Sequence, residues 1–133
     1  MFKKIKEIKS KDGVLHFRRW RILSLPFLKI NLHGIYMHDE DKHLHNHPWN
    51  FISIVLKGWY SERLEGDKIN VRYPGNIAMR KKDAFHKIDS LQSKSIYTLN
   101  FMWGKQEVWG YKVKGKFVDH ETYRELKRMN IIN

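Results

Sequence analysis

Three histidines stand at alternate positions in HLHNHPW, residues 43–49, in a chain that has only eight histidines among 133 residues. Side chains two residues apart on an extended strand share a face, so His43, His45 and His47 would project together. Two imidazoles at that spacing can reach one divalent ion if their strand borders a cavity, but a third ligand must then come from elsewhere in the fold. The candidates outside the stretch are His16, His33, His38, His86 and His120, with the carboxylates Asp39 and Asp41. The chain has no cysteine, which excludes thiolate ligands and disulfides. Metal ligation, anion binding and simple crowding of a loop are the three readings of the stretch itself.

The elements that must position these residues read as strands. Glycine and proline interrupt short apolar segments about every ten residues, the rhythm of an all-β sandwich or barrel. The segments run 15–25, 27–38, 51–64, 68–73, 76–80, 84–88, 95–103 and 107–113. YPGN at 73–76 offers Pro-Gly for a type II turn, and LEGDK at 64–68 reads as a hairpin loop. Within 95–103, Ile96, Tyr97, Leu99 and Phe101 are set against Ser95, Thr98 and Asn100, which predicts one buried apolar face. DHETYRELKRMN, 119–130, changes period. Asp119 is a candidate N-cap, Glu121 lies in the first turn, and Lys127 and Arg128 lie near the end. Tyr123, Leu126 and Met129 are expected to pack this helix on the barrel. The predicted organisation is a basic N-terminal arm over 1–12, a barrel over 13–118 and the C-terminal helix.

Composition limits the partners. At 133 residues, with 41% hydrophobic and 14% aromatic residues, the chain suits one folded domain. No run approaches the roughly 20 apolar residues that cross a bilayer, and the basic N-terminus lacks the features of a signal peptide. A cytoplasmic protein with no membrane association is the expectation. The net charge of +12 attracts phosphates or other anions, although the basic residues are dispersed and no nucleic-acid-binding module accompanies them. Any nucleic-acid binding should therefore be weak and sensitive to salt.

The spacing of the histidines resembles that of the cupin superfamily, whose two motifs are G-x5-H-x-H-x3,4-E-x6-G and G-x5-P-x-G-x2-H-x3-N. The first falls on this sequence with His45 and His47 at its histidines and Gly58 at its final glycine; the second falls with Gly75 at its opening glycine and His86 at its histidine. Asp39 stands in place of the first glycine, Phe51 in place of the glutamate, and Lys81, Asp83 and Ser90 in place of the later proline, glycine and asparagine. HNHPW and WGYKVKGKFVDHETY are also similar to a group of small cupin-like bacterial and phage proteins.

The resemblance implies an all-β fold, a small cupin-type barrel (a double-stranded β-helix, or jelly roll) with a short C-terminal helix. It implies His45, His47 and His86 as ligands of one divalent ion, Fe(II) in preference to Mn, Ni, Co or Zn. The implied activity is that of a metal-dependent enzyme on a small anionic molecule, a three-histidine Fe(II) dioxygenase. The alternatives are a metal-dependent isomerase or lyase, and a non-catalytic basic barrel, such as a phage accessory protein, that binds a nucleotide, a sugar or nucleic acid. His43 and Asp41 are candidate catalytic groups beside the ion; Asp39 or Asp41 could also replace the missing glutamate. Trp49 and Phe51 are candidate substrate contacts as well as interior packing, and Arg80, Lys82 and Lys87 are candidate clamps for a carboxylate or phosphate. His16, His33 and His38 read as structural histidines and His120 as exposed. A homodimer formed through edge strands is expected.

Overall fold

The computed structural model describes residues 3–39, 43–104 and 108–132. Its strands are β1 (Lys3–Lys9), β2 (Leu15–Leu25), β3 (Leu28–Ile35), β4 (Leu44–His45), β5 (Asn50–Lys57), β6 (Tyr60–Leu64), β7 (Lys68–Arg72), β8 (Ile77–Arg80), β9 (His86–Leu91), β10 (Ile96–Trp103), β11 (Gly110–Val113) and β12 (Lys116–Asp119), followed by helix α1 (His120–Arg128). All pairings are antiparallel, in two six-stranded sheets ordered β1-β2-β3-β10-β5-β8 and β12-β11-β4-β9-β6-β7. This is a small jelly-roll barrel with one short C-terminal helix.

Local chemistry sets the corners. At 73–76 the Asn76 amide donates to the Tyr73 carbonyl at 2.9 Å, and Gly75 takes φ +88°, the value that a type II turn demands of its third residue. In α1, the Asp119 carboxylate accepts from the Thr122 amide at 3.2 Å. Asn130, at φ +58°, closes the other end, with the Ile131 amide donating back to the Leu126 carbonyl at 2.9 Å.

Three expectations change. Residues 3–9, expected within a basic arm, are an edge strand paired to β2, anchored by an ion pair from Arg18 Nε to Glu7 Oε2 at 2.7 Å. Met129 does not pack on the barrel, because the helix ends at Arg128 and leaves its side chain exposed; Tyr123 is the helix residue that is buried.

The third change concerns which face of β10 is inside. Ile96, Thr98, Asn100 and Met102 are buried, whereas Tyr97, Leu99 and Phe101 lie on the outer face. Residues directly opposite on neighbouring strands share a face. Across β2, β3, β10, β5 and β8, the inner row Arg21–Asn31–Asn100–Ser53–Ala78 is polar but for its last member, and the outer row Trp20–Leu32–Leu99–Ile54–Ile77 is wholly apolar. The expectation assumed an apolar core between the sheets. Here the compact core of Ile35, Val55, Tyr60 and Ile96 fills only part of the interior, and the rest is a chamber whose wall mixes histidines and other polar side chains with aromatic rings.

Candidate metal centre

The chamber measures about 130 Å³, and His45, His47 and His86 open into it. Each is placed by its backbone. His45 ends the two-residue strand β4, which is held between Tyr111 of β11 on one side and His86 of β9 on the other. Asn46 fixes the exit from that strand: its amide donates to the Gly110 carbonyl at 3.0 Å, and its side-chain oxygen accepts from the Gly110 amide at 2.7 Å. No bulkier residue fits at 110, because an added Cβ would lie 2.7 Å from the Asp119 Cα and closer still to the Val118 carbonyl oxygen. His86 opens β9, and His47 follows two residues after β4, just before the bend at 48–49.

One ligand atom from each of the three imidazoles lies within 4.8 Å of the others. Nε2 of His47 and Nε2 of His86 are 2.9 Å apart. Two nitrogens bound at right angles to one ion, at about 2.1 Å each, stand about 3.0 Å apart, so the donor set fits a single divalent ion. His86 Nδ1 donates to Glu62 Oε2 at 2.5 Å, which leaves its Nε2 lone pair aimed at the other two rings. A carboxylate behind a histidine is the usual device for fixing the tautomer of a metal ligand.

Glu62 is itself buried, at 2% exposure, and its other oxygen takes Arg80 Nη2 at 2.7 Å. Burial alone would raise this carboxyl, but the hydrogen bonds and charges of His86 and Arg80 outweigh it and bring it down to about 2. The group is thus an anion at neutral pH. His47 is held well below the ordinary imidazole range, by burial first and then by His86, His45 and Arg19 around it. It enters the site neutral, which is the state that ligates.

The walls are aromatic on one side and polar on the other. Trp49 stacks on His47 with ring centroids 6.2 Å apart, and Phe51 meets the same ring edge-on at 5.2 Å. Arg72 is buried and, among the described residues, donates only to neutral acceptors: Tyr60 Oη at 3.0 Å, the Ser53 carbonyl at 2.9 Å and Asn76. Arg19 Nε donates to His33 Nε2 at 3.0 Å, so the neutral His33 carries its proton on Nδ1. Burial, then the charges of Arg19 and Lys6, keep His33 well below its ordinary range. Burial and the neighbouring Arg21 lower Arg19 to about 10, which still leaves it cationic at neutral pH.

The remaining sequence-predicted residues fall elsewhere. His43 bonds the Tyr123 hydroxyl at 2.8 Å, between α1 and the barrel, and is not in the chamber wall. Asp41 lies outside the described residues. Asp39 does line the chamber, but its carboxylate accepts from the Ile88 amide at 2.7 Å, and the imidazole-orienting place belongs to Glu62. Arg80 is engaged with Glu62 and, like Lys82 and Lys87, is absent from the chamber wall. His33, read as structural, is a wall residue. Sequence reasoning missed Glu62, Arg19 and Arg72. The one signal for Glu62 was its parity with Tyr60 and Leu64 in a strand-like segment; its partner sits 24 residues away on another strand.

No family model matches this sequence, and no curated protein matches it. Solved structures do. A cupin-2 domain from Rhodospirillum rubrum superposes with a TM-score of 0.64 at 11% identity, over 96% of this chain and 82% of that one. Fe(II) HppE superposes with a TM-score of 0.61 at 14% identity, over 76% of this chain and 57% of that one. The DMSP lyase DddQ from Ruegeria pomeroyi superposes with a TM-score of 0.59 at 14% identity, over 78% and 56% respectively. The chain thus spans little more than half the length of the latter two, and identities this low speak to fold alone. With its two antiparallel sheets closed around a histidine-lined chamber, this protein has the fold of the cupin superfamily.

Proposed function

We propose that this protein is a metal-dependent enzyme acting on a small anionic molecule, with His45, His47 and His86 as the ligands of one divalent ion and Fe(II)-dependent dioxygenation as its reaction. The observation that carries the reading is the convergence of three imidazoles on one point in a chamber, with Glu62 fixing the tautomer of one of them. A three-nitrogen neutral set suits Fe(II) and also Mn, Co, Ni or Zn, and the choice among them follows availability in the cell. Such an ion supplies Lewis acidity and, as Fe(II), the activation of O₂ beside a bound substrate.

The protein's own groups do the rest. Glu62 and Arg80 hold His86 rigid; Trp49 and Phe51 exclude water beside His47; Thr98, Asn100 and Ser53 offer neutral hydrogen-bonding groups to a substrate. No carboxylate occupies the family's glutamate position, since Phe51 stands there, so the ligand set adds no negative charge and favours an anion as the incoming partner. A homodimer completes the proposal.

Metal analysis of protein purified without oxygen, joined to an O₂-uptake screen over small organic acids, tests this. Stoichiometric metal that His86→Ala abolishes and His43→Ala retains is the expected result. Wild-type protein that neither carries nor takes up a divalent ion would overturn it; metal with turnover that needs no O₂ would move the reaction to isomerase or lyase chemistry.

A further inference from the structure

Past Trp49 and Met102, the histidine chamber shares its wall with a second, outer cavity of about 370 Å³. Three cations line that outer space: Arg19, Arg21 and Lys29. None of them has a carboxylate partner within ion-pair distance among the described residues, and none of the described residues of the cavity wall is acidic. Their only side-chain bonds are to neutral acceptors: Arg19 Nε to His33 Nε2 at 3.0 Å, Arg21 Nε to Asn31 Oδ1 at 2.6 Å, and Lys29 Nζ to the Leu25 carbonyl at 3.0 Å. Each arginine is thus gripped through Nε, and its two terminal amino groups have no acceptor among the described residues. No fully buried side-chain nitrogen there lacks a partner, so these amino groups meet solvent.

Positive charges gathered on one cavity without a counter-charge among the described residues repel one another and cost stability, as the influence of Arg21 on Arg19 records. Three other arginines are held by carboxylates, Arg18 by Glu7, Arg63 by Asp89 and Arg80 by Glu62, whereas Arg72 is held inside the fold by neutral acceptors. Arg19, Arg21 and Lys29 instead line one cavity that joins the candidate metal centre and has flat walls, Trp49, Trp103 and Phe27, of which Phe27 is 73% exposed. The Arg19 guanidinium also lies 5.5 Å from the Trp49 ring centroid, so the aromatic wall helps to hold this planar fork in place.

We propose that the outer cavity binds a dianionic, phosphate-type group of the substrate through Arg19, Arg21 and Lys29, so that the substrate is a small organic phosphate whose reacting end passes Trp49 into the histidine chamber. Paired guanidinium forks match the oxygens of a phosphoryl group, and three positive charges select two negative charges over one. The aromatic walls receive the apolar or ring portion between the two ends. The inference rests on the proposed enzyme only in taking this anion to be the substrate of the histidine site; binding itself needs no metal.

The test is titration of the full-length, chelator-treated protein with inorganic phosphate at fixed ionic strength, followed by Trp fluorescence and calorimetry, with acetate and benzoate in parallel. Phosphate should bind saturably and about tenfold or more tighter than either carboxylate, with sulfate competing. Arg19→Gln and Arg21→Gln should each weaken it about tenfold or more, and Lys94→Gln, an exposed charge outside both cavities, should leave it unchanged within twofold. Arg21→Gln does not disturb His33, so it keeps the test valid if Arg19→Gln fails to fold. Equal loss in Lys94→Gln would reduce the effect to net charge and overturn the proposal, as would no phosphate binding, or benzoate binding as tightly as phosphate. Metal stoichiometry of the same variants, expected to stay at the wild-type level, separates this outcome from failure of the ligand assignment.

Discussion

At the residue scale the candidate centre depends on one carboxylate that the ligand motif does not contain. Glu62 accepts the His86 Nδ1 proton and neutralises Arg80, so its removal leaves a mobile imidazole and a buried, uncompensated guanidinium. Glu62→Gln keeps the volume and a hydrogen-bond acceptor but drops the charge; it should weaken divalent-metal affinity about 10- to 100-fold, read by competition with a chromophoric chelator. Unchanged affinity would mean that the tautomer of His86 is set by something else. His33 and His47 make a second prediction, about pH. Both are neutral in the fold and resist protonation there, while in the unfolded chain they take up protons below about pH 6.5. The unfolded state therefore binds more protons as pH falls, and stability is complete above about pH 6.5 and declines below it, by up to about 1.4 kcal/mol per group per pH unit. Urea unfolding of metal-free protein at pH 7.5 and 5.5 measures that loss, and His33→Gln, which retains an acceptor for Arg19, should make it shallower. An identical slope in the variant would contradict the assignment of His33 as a neutral buried base.

At the element scale the shortest strand has the largest consequence. β4 contributes a single cross-strand pair to β9, His45 opposite His86, and its other edge depends on β11. Gly110 holds that edge by exchanging bonds with Asn46, and its Cα lies against the backbone of Val118 and Asp119 in β12. Gly110→Ala should force the β11–β12 hairpin away from β4, costing about 1–3 kcal/mol and loosening His45. Thermal denaturation and metal stoichiometry on the same sample would register both losses, and a variant of native stability would show that the hairpin has slack. None of this was legible in the sequence, because no pattern over two residues announces a strand. What was legible had local causes: the Pro-Gly turn at 73–76, the Asp119 cap, the helix period after it, and the i, i+2 spacing of His45 and His47 that put both into one chamber. The failures are non-local. Alternation along β10 revealed that one face was apolar, and the assumption that apolar means inside then turned the strand over. Arg19 and Glu62 were missed because each finds its partner on another strand, 14 and 24 residues away.

At the scale of the whole molecule, that inverted strand is one piece of a larger surface. Two rows cross the outer face of the first sheet in register, Trp20–Leu32–Leu99–Ile54–Ile77 and Leu23–Ile30–Phe101–Ile52–Met79, ten apolar side chains on five strands with no charge among them. Five strands at about 4.8 Å spacing make this face about 19 Å wide. Leu23, Ile77 and Met79 on its flanks are 39%, 65% and 53% exposed. A contiguous apolar face of this kind on a chain of net charge +12 is where a second copy can approach without bringing like charges together. The dimer expected from edge strands is therefore better served by face-to-face packing of this sheet, whose composition matches the apolar core of homodimer interfaces. Sedimentation equilibrium at micromolar concentration should give twice the chain mass. The double substitution Ile54→Lys and Leu99→Lys, directly opposite each other at the centre of the face, should give the monomer mass while far-UV dichroism and metal content stay native, because both side chains point away from the chamber. A wild-type monomer at every concentration would remove the dimer altogether. A dimer that survives the double substitution would return the contact to the edges, β1 and β8 in one sheet or β12 and β7 in the other.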